Sequence, residues 1–357
     1  MSDFFKNLNL FLPKKMVGID IGTSAIKIVE ISRWGKGKTL ENYGHITSDS
    51  IYKDSPLAVD RGSRALSRDF VPLAIKGILQ EAKIKTKEAV FSIPDFYTFC
   101  TSFDIPPMPQ KEIAGAVQYN ASQYVTLPMK EVTLDWKIIS GAPNGSTPLK
   151  IFLVAVPNQV IQEYQAIAKE AGLELYAMEA EATAISRALA RGSKKTICLM
   201  DIGVQSSTVN IIDDGVLKRS YSFNFYSGQL AKTVSGALGV GLPEAEKIKN
   251  KDGINSPNNT IGEALRLLVD PLVVQLRSIS SEFTQSEQKE VQEIYLTGGT
   301  ANLPGLKEHI NQKLGKTATV PNCFSDFLYP PILEDKLRAM SPGFSAAMGV
   351  AIGGLEI

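Results

Sequence analysis

The sequence predicts a two-lobed α/β protein with a small α+β subdomain inserted in its first lobe. Three observations predict it. A strand ending in Asp-x-Gly, then a polar turn and a returning strand, occurs twice: DIGTSAIK (Asp20–Lys27) and DIGVQSST (Asp201–Thr208), about 180 residues apart. Between the copies lies a block, residues 97–171, with its own strand-helix-strand-strand order. The 357 residues also exceed the ~100–200 that one domain usually holds.

Element by element, the tail 1–15 is followed by MVGID, an apolar run, then the alternating AIKIVEIS, a GKGK turn and a strand over 40–47, a three-strand meander. Residues 53–68 read as a loop, and Phe70, Leu73, Ala74, Ile78 and Leu79 have helical spacing. The inserted block opens with a strand at 97–105 and continues with a helix carrying Ile113, Val117, Ala121 and Tyr124 on one face. Two strands, 131–140 and 149–156, and a helix over 158–171 complete it. The first lobe thus covers 16–96 and 172–192, with a connecting helix at 179–189, and the second lobe covers 193–357. The second lobe repeats the meander, then adds helices near 227–238, 243–249 and 259–284, a strand leading into LTGGTANLPGL, and a final small-residue helix, 344–354.

Composition excludes several function classes. With 38 Lys+Arg against 37 Asp+Glu, the chain lacks the basic excess that neutralising nucleic-acid phosphates requires. The two histidines, His45 and His309, cannot make a His-rich metal site. Three widely spaced cysteines form no disulfide framework and fit a reducing cytoplasm. The start of the chain has no secretory signal, and the stretch 340–355 falls short of the ~20 apolar residues of a membrane span. WGKGKT contains the Gly-Lys-Thr of a P-loop, but Ser32 stands where the first glycine is required, and it joins two strands.

The chemistry lies in the duplicated turns. Backbone N–H groups and hydroxyls of two facing turns can clamp a polyphosphate. Asp20 and Asp201 would face it and hold the waters of a hydrated Mg²⁺, which prefers that arrangement to an all-protein cage. Lys27, on the returning strand, can reach back to a phosphate as a point charge. Gly298-Gly299 would let the backbone approach a flat adenosine closely. Ordinary turn chemistry is the competing reading of each motif alone.

These three pieces in this order resemble the actin, heat-shock chaperone and sugar kinase ATPase superfamily, with its ribonuclease H-like lobes. The inserted block, EIAGAVQYNASQYVTLPMKEVTLDWKII, and IFLVAVPNQVIQEYQAIAKEAGLELYAMEAEATAISRAL resemble the PilM family of type IV pilus assembly proteins, from about residue 16 to 354. The resemblance implies ATP and Mg²⁺ as ligands. Asp20, Gly22, Thr23, Ser24 and Lys27 match the first phosphate loop, and Asp201, Gly203, Ser206 and Ser207 the second. Gly298, Gly299 and Thr300 match the adenosine turn, and Glu246 and Lys249 the helix that holds adenine and ribose. An i,i+3 pair on a solvated face is the alternative for the last two. Glu179 matches the position of a water-activating acid in chaperone-like relatives, with Glu181 the other choice of register and a helix N-terminal acid the bland one. Where chaperones have Gly-Gly-Thr, Gly203 is followed by Val204, Gln205 and Ser206, which implies slow or absent hydrolysis.

By the same resemblance the chain is a cytoplasmic scaffold at the inner face of the inner membrane. It would capture the cytoplasmic tail of a PilN-like membrane protein, with pilus motor ATPases and a second copy as further candidate partners. The rival readings are an FtsA-like filament-forming division protein and, less favoured, a small-molecule kinase. FtsA-like chains usually end in a basic amphipathic helix, whereas this one ends at GGLEI. The tail residues Phe4, Phe5, Leu8, Phe11 and Leu12 share a helical face for docking, and NLNLFLP also resembles the PilN tail, so it could occupy the groove of its own or a neighbouring molecule; a frayed end is the plain alternative.

Overall fold

The computed structural model describes residues 13–47, 69–204, 206–223, 225 and 227–357. The tail residues expected to share a docking face, Phe4, Phe5, Leu8, Phe11 and Leu12, and the loop at 53–68 lie outside the described residues.

In the first lobe, β1 (Lys14–Ile21) pairs antiparallel with β2 (Ala25–Trp34), which pairs with β3 (Gly37–Thr47). A helix, Val71–Glu81, leads to β4 (Glu88–Ile93), which lies parallel to β1. Residues Met16–Asp20 are all buried because helices cover both faces of the sheet, and a strand covered twice reads as a continuous apolar run. On one face Val71, Ile75 and Ile78 pack with Ile19, Ile28 and Phe91.

The inserted subdomain consists of β5 (Phe99–Ile105), the helix Gln110–Tyr124, β6 (Val132–Ser140) and β7 (Leu149–Pro157). The three strands form an antiparallel sheet in the order β5-β7-β6, closed by a core that includes Phe103, Ile113, Val117, Leu149 and Ile151. The helix Asn158–Ala171, expected to close this block, instead belongs to the first lobe. Its apolar stripe, Val160, Tyr164, Ile167 and Ala171, packs with Ile75 and Phe91. It ends at Gly172 in the left-handed region, φ 75°, and returns the chain to β8 (Glu174–Ala180), parallel to β4. The first-lobe sheet is therefore β3-β2-β1-β4-β8, and the insertion is confined to 99–157. The helix Glu181–Ala190 follows β8, so Glu179 is on a strand and not on the connecting helix.

The second lobe repeats the design. β9 (Thr196–Ile202), β10 (Ser207–Asp213) and β11 (Val216–Phe223) form a meander. Helices Gly228–Leu238, Leu242–Asp252 and Asn259–Glu287 follow. The longest is capped by the Asn258 carboxamide oxygen, which accepts from the N–H groups of Thr260 and Ile261 at 3.1 and 3.4 Å. Its buried stripe Ile261, Leu265, Val269, Leu272, Leu276, Ile279 and Phe283 covers the sheet. β12 (Glu293–Thr297) runs parallel to β9, the helix Leu306–Leu314 packs beside it, and β13 (Ala318–Thr319) closes the order β11-β10-β9-β12-β13.

The last helix, Glu334–Glu356, joins the lobes. The Pro342 carbonyl accepts from the Gly298 N–H at 3.0 Å and from the Thr297 hydroxyl at 3.0 Å, both in the second lobe. Its later turns lie on the first-lobe sheet and on the connecting helix, with Ala347, Val350 and Ala351 packed against Met16 and Val29. The expected small-residue crossing is present, since a Cβ on Gly349 would stand 1.9 Å from the Ala184 carbonyl oxygen. The insertion also touches the second lobe: the Ser102 hydroxyl donates to the Lys218 carbonyl at 2.7 Å, and Lys218 Nζ donates to the Ile139 carbonyl at 2.8 Å.

Candidate functional site

Each Asp-x-Gly turn sits at the end of the strand nearest its lobe's centre. In the first, Asp20 ends the buried run of β1 and is 3% exposed. Lys27 is its cross-strand partner on β2, and Lys27 Nζ donates to Asp20 Oδ2 at 3.1 Å. The Ser92 hydroxyl of β4 donates to Asp20 Oδ1 at 2.8 Å. The carboxylate is thus held from two sides before any ligand arrives. In the second turn Asp201 ends β9, and its cross-strand partner is Thr208.

The two turns face each other across a cleft of about 210 Å³. Asp20, Gly22, Thr23, Ser24 and Lys27 line its first-lobe side. Asp201, Gly203, Ser206, Gly298 and Gly299 line the other. Gly298 cannot be replaced cheaply: its φ is +86°, and a Cβ would stand 2.2 Å from Asp201 Oδ1. Glu181 and Ile185 of the connecting helix and Pro342 and Gly343 of the last helix also reach the cleft, so both helices that join the lobes border it. A larger depression, about 550 Å³, lies between residues 290–293 and 315–319 and holds none of the expected site residues.

Other expected residues are placed elsewhere. Glu179 does not line the cleft: both Arg187 Nη atoms donate to its carboxylate, and Arg187 Nη1 donates to the Gly349 carbonyl at 3.0 Å. That pair ties the connecting helix to the last helix. Glu181, two residues on at the first turn of the connecting helix, is the acid that lines the cleft, so the position expected for Glu179 is filled by Glu181. The Ser207 hydroxyl is buried and donates to the Phe225 carbonyl at 2.9 Å. Thr300 is buried behind the turn, its N–H donating to the Ile202 carbonyl at 3.4 Å. Glu246 and Lys249 pair with each other on the helix Leu242–Asp252, and neither lines the cleft.

The electrostatics follow from carboxylates crowded around one ammonium. Burial pushes the Asp201 carboxyl up to about 7, with the charge of Asp95 adding to the rise and Lys27 opposing it. Burial, then Asp20, Asp95 and Asp201, hold Glu181 well above the usual carboxylate range. Burial alone would lower the Lys27 ammonium, but Asp20, Glu181 and Asp201 outweigh it and leave it raised. Asp95 carries no motif of its own in the sequence. It occupies a short helical turn between Pro94 and Phe96, both of which line the cleft, and its Oδ1 accepts from the Ala182 N–H at 3.2 Å. Burial raises its carboxyl as well, against the bonding of Thr208 and Ala182.

Such a site suits a polyanion with a divalent cation. The turn backbones and hydroxyls offer donors, Lys27 offers one positive charge, and the surplus of carboxyls calls for another cation. Among the described residues no three carboxyl, imidazole or thiol groups are grouped to ligate one ion directly.

Residues 18–355 match the family described as type IV pilus assembly protein PilM. The cell division protein FtsA of Enterococcus faecalis is 21% identical over 334 residues, covering 81% of this chain and 74% of that protein. A PilM–PilN type IV pilus biogenesis complex superposes with a TM-score of 0.80 at 21% identity, over 95% of this chain and 98% of that one. MreB5 of Spiroplasma citri, solved bound to ADP, superposes with a TM-score of 0.51 at 12% identity, over 91% of this chain and 97% of that one. The expected actin-like ATPase fold is the fold observed. No helix among the described residues is long and apolar enough to cross a membrane.

Proposed function

We propose a scaffolding function from one premise: this chain belongs to the type IV pilus assembly protein PilM family. It acts in type IV pilus assembly, binds Mg-ATP between its lobes, and presents a surface to the cytoplasmic tail of a PilN-like membrane protein. The single observation that carries the nucleotide reading is the pair of facing turns with Asp20 and Asp201 at one cleft.

The turn residues Thr23, Ser24 and Ser206 would donate to phosphate oxygens, and Lys27 would neutralise one of them. Asp20, Asp201 and Glu181 would hold the ion's waters, and Gly298-Gly299 would lie against the nucleoside. When bound, Mg-ATP supplies a polyanion and cation that both lobes can grip at once. The exposed Val204 stands where a further glycine would let the backbone close on the terminal phosphate. That favours bound nucleotide as a structural element with slow turnover.

A bridge between insertion and second lobe gives the nucleotide a route to the partner. Lobe closure would shift Lys218, which bonds to Ile139 of the insertion, and so move the insertion relative to the first lobe, the two units between which the partner's tail would be captured. The named solved complex of the same fold is one of PilM with PilN, which favours a PilN-like partner. Through it the chain would be held at the inner face of the inner membrane.

The test is fluorescence anisotropy with a labelled peptide from the cytoplasmic tail of the organism's PilN-like protein, with and without Mg-ATP. Saturable binding that tightens with nucleotide is expected. Absence of binding in both conditions, with nucleotide uptake intact, would remove the partner from the reading and favour the FtsA-like alternative.

A further inference from the structure

The charges of this chain balance overall, 38 Lys+Arg against 37 Asp+Glu, but not at one end of the first lobe. β1 runs from Lys14 towards the cleft residue Asp20, so its start is about 20 Å from the cleft. At that far end Lys14 and Lys15 stand opposite Arg33 and Ser32 of β2. The turn beside them, Trp34-Gly35-Lys36-Gly37-Lys38, adds two lysines. The segment leading into β4, which is parallel to β1, carries exposed Lys83, Lys85 and Lys87. Between the last two, the Thr86 hydroxyl donates to the Glu30 carboxylate of β2, which holds this segment against the meander.

Among the described residues only Lys15 of this group has an ion-pair partner, Glu41 at 3.3 Å. The other acids at this end are few. Glu88 and Glu174 are neighbours across β4 and β8, on the side of the sheet away from the turn, and Asp326 is close to Leu328 in sequence. Gathered like charges repel each other, and a polyanion from outside relieves that.

Apolar groups narrow the kind of polyanion. Trp34, at the turn, is 76% exposed. Leu328, 68% exposed, is tied to the same turn: its N–H donates to the Lys38 carbonyl at 2.8 Å, and its carbonyl accepts from the Leu40 N–H at 3.0 Å. Unpaired lysines alone fit any polyanion. An exposed indole among them fits a lipid surface, where the ring sits at headgroup level and the ammonium groups meet anionic headgroups. The chain before β1 joins the fold at this end too, through the exposed Pro13, and its sequence carries Phe4, Phe5, Leu8, Phe11 and Leu12.

We propose that this end of the first lobe is a docking face for an anionic phospholipid bilayer, with Trp34 at headgroup level and Lys36, Lys38, Lys85 and Lys87 facing lipid phosphates. The inference adds a direct lipid contact to the membrane location proposed above and does not need the partner's tail. The cleft is at the other end of β1, so a docked chain keeps it turned to the water.

The test is co-sedimentation of the full chain with phosphatidylglycerol vesicles and with phosphatidylcholine vesicles, without nucleotide or peptide. Wild-type binding to phosphatidylglycerol is expected, with little on phosphatidylcholine and a loss in about 0.5 M salt. Each lysine near an anionic surface is worth roughly fivefold in affinity, so Lys36→Gln/Lys85→Gln/Lys87→Gln should bind at least about 10-fold more weakly. The same change of charge on exposed lysines of the second lobe, Lys232→Gln/Lys247→Gln/Lys251→Gln, should cost less than about 3-fold, because charges beyond a Debye length of the surface are screened. Trp34 emission, read in a Trp136→Phe chain, should move to shorter wavelength on the vesicles. No wild-type binding to phosphatidylglycerol overturns the proposal and leaves the basic end to an acidic protein segment. Equal losses in the two triple variants overturn it as well, since they mark attraction by net charge alone, and so does binding without a change in Trp34 emission. The vesicles carry no PilN-like tail, so failure here leaves the peptide titration untouched, and a failed peptide titration leaves this face standing.

Discussion

In both Asp-x-Gly turns the glycine N–H donates to the carbonyl three residues on, Gly22 to Ala25 and Gly203 to Ser206, at 3.0 Å in each. The cross-strand register is also the same, Asp20 opposite Lys27 and Asp201 opposite Thr208. The backbones are copies, and the charges are not. Where the first turn places a lysine, the second places a threonine. Asp20 is answered by Lys27 and Ser92, while Asp201 faces two further carboxyls, Asp95 and Glu181, and is pushed up to about 7 by burial and by Asp95. Two copies of one turn thus differ in charge compensation: Asp20 is paired within the protein, and Asp201 is left among like groups.

The largest effect should come from breaking the paired copy. Lys27→Met leaves a buried carboxylate without its ion-pair partner and is expected to destabilise the ligand-free protein by about 3 kcal/mol. The matching change in the second turn, Thr208→Val, removes a hydroxyl and no charge, and is expected to cost about 1 kcal/mol. Urea denaturation of both variants measures the difference. Equal losses would mean that the two turns do not differ in charge compensation.

A smaller effect sharpens the contrast through pH. Asp201 titrates at about 7 when folded, raised by burial first and Asp95 next, against roughly 3.9 in an unfolded chain. Between those values the folded protein keeps a proton that the unfolded chain has lost. Stability of the ligand-free protein should therefore fall as pH rises from about 4 to about 7, and level off above. Glu181, raised in the same direction, contributes the same sign. In Asp201→Asn the fall should be shallower, as read from melting temperatures across that range. An unchanged slope would contradict the assignment.

The turns were legible because Asp-x-Gly chemistry is local, and the second lobe's helices were legible from their spacing. The strands β4 and β8 were not, although they are central to the first sheet. EAVFSI is a short apolar run, and the period of such a run does not separate a strand from a buried helix. ELYAMEA ends in Glu179-Ala180 and runs without a turn residue into the next helix, so nothing in the sequence separates strand from helix and Glu179 reads as helical. The helix Asn158–Ala171 adjoins the insertion in sequence, whereas its packing partners, Ile75 and Phe91, are far away in sequence, so chain order alone places it in the wrong unit. Asp95 gave no signal, since an aspartate between proline and phenylalanine reads as a turn, and the Ala182 N–H it accepts from is about 90 residues away.

The central claim is that both turns grip one Mg-nucleotide. Equilibrium titration of a fluorescent ATP analogue in Mg²⁺ tests it most directly, in the wild type, Asp20→Asn and Asp201→Asn. Saturable wild-type binding that weakens at least about 10-fold in each single variant is the expected result. Absent wild-type binding, or binding indifferent to Asp201→Asn, would contradict a clamp built from both lobes.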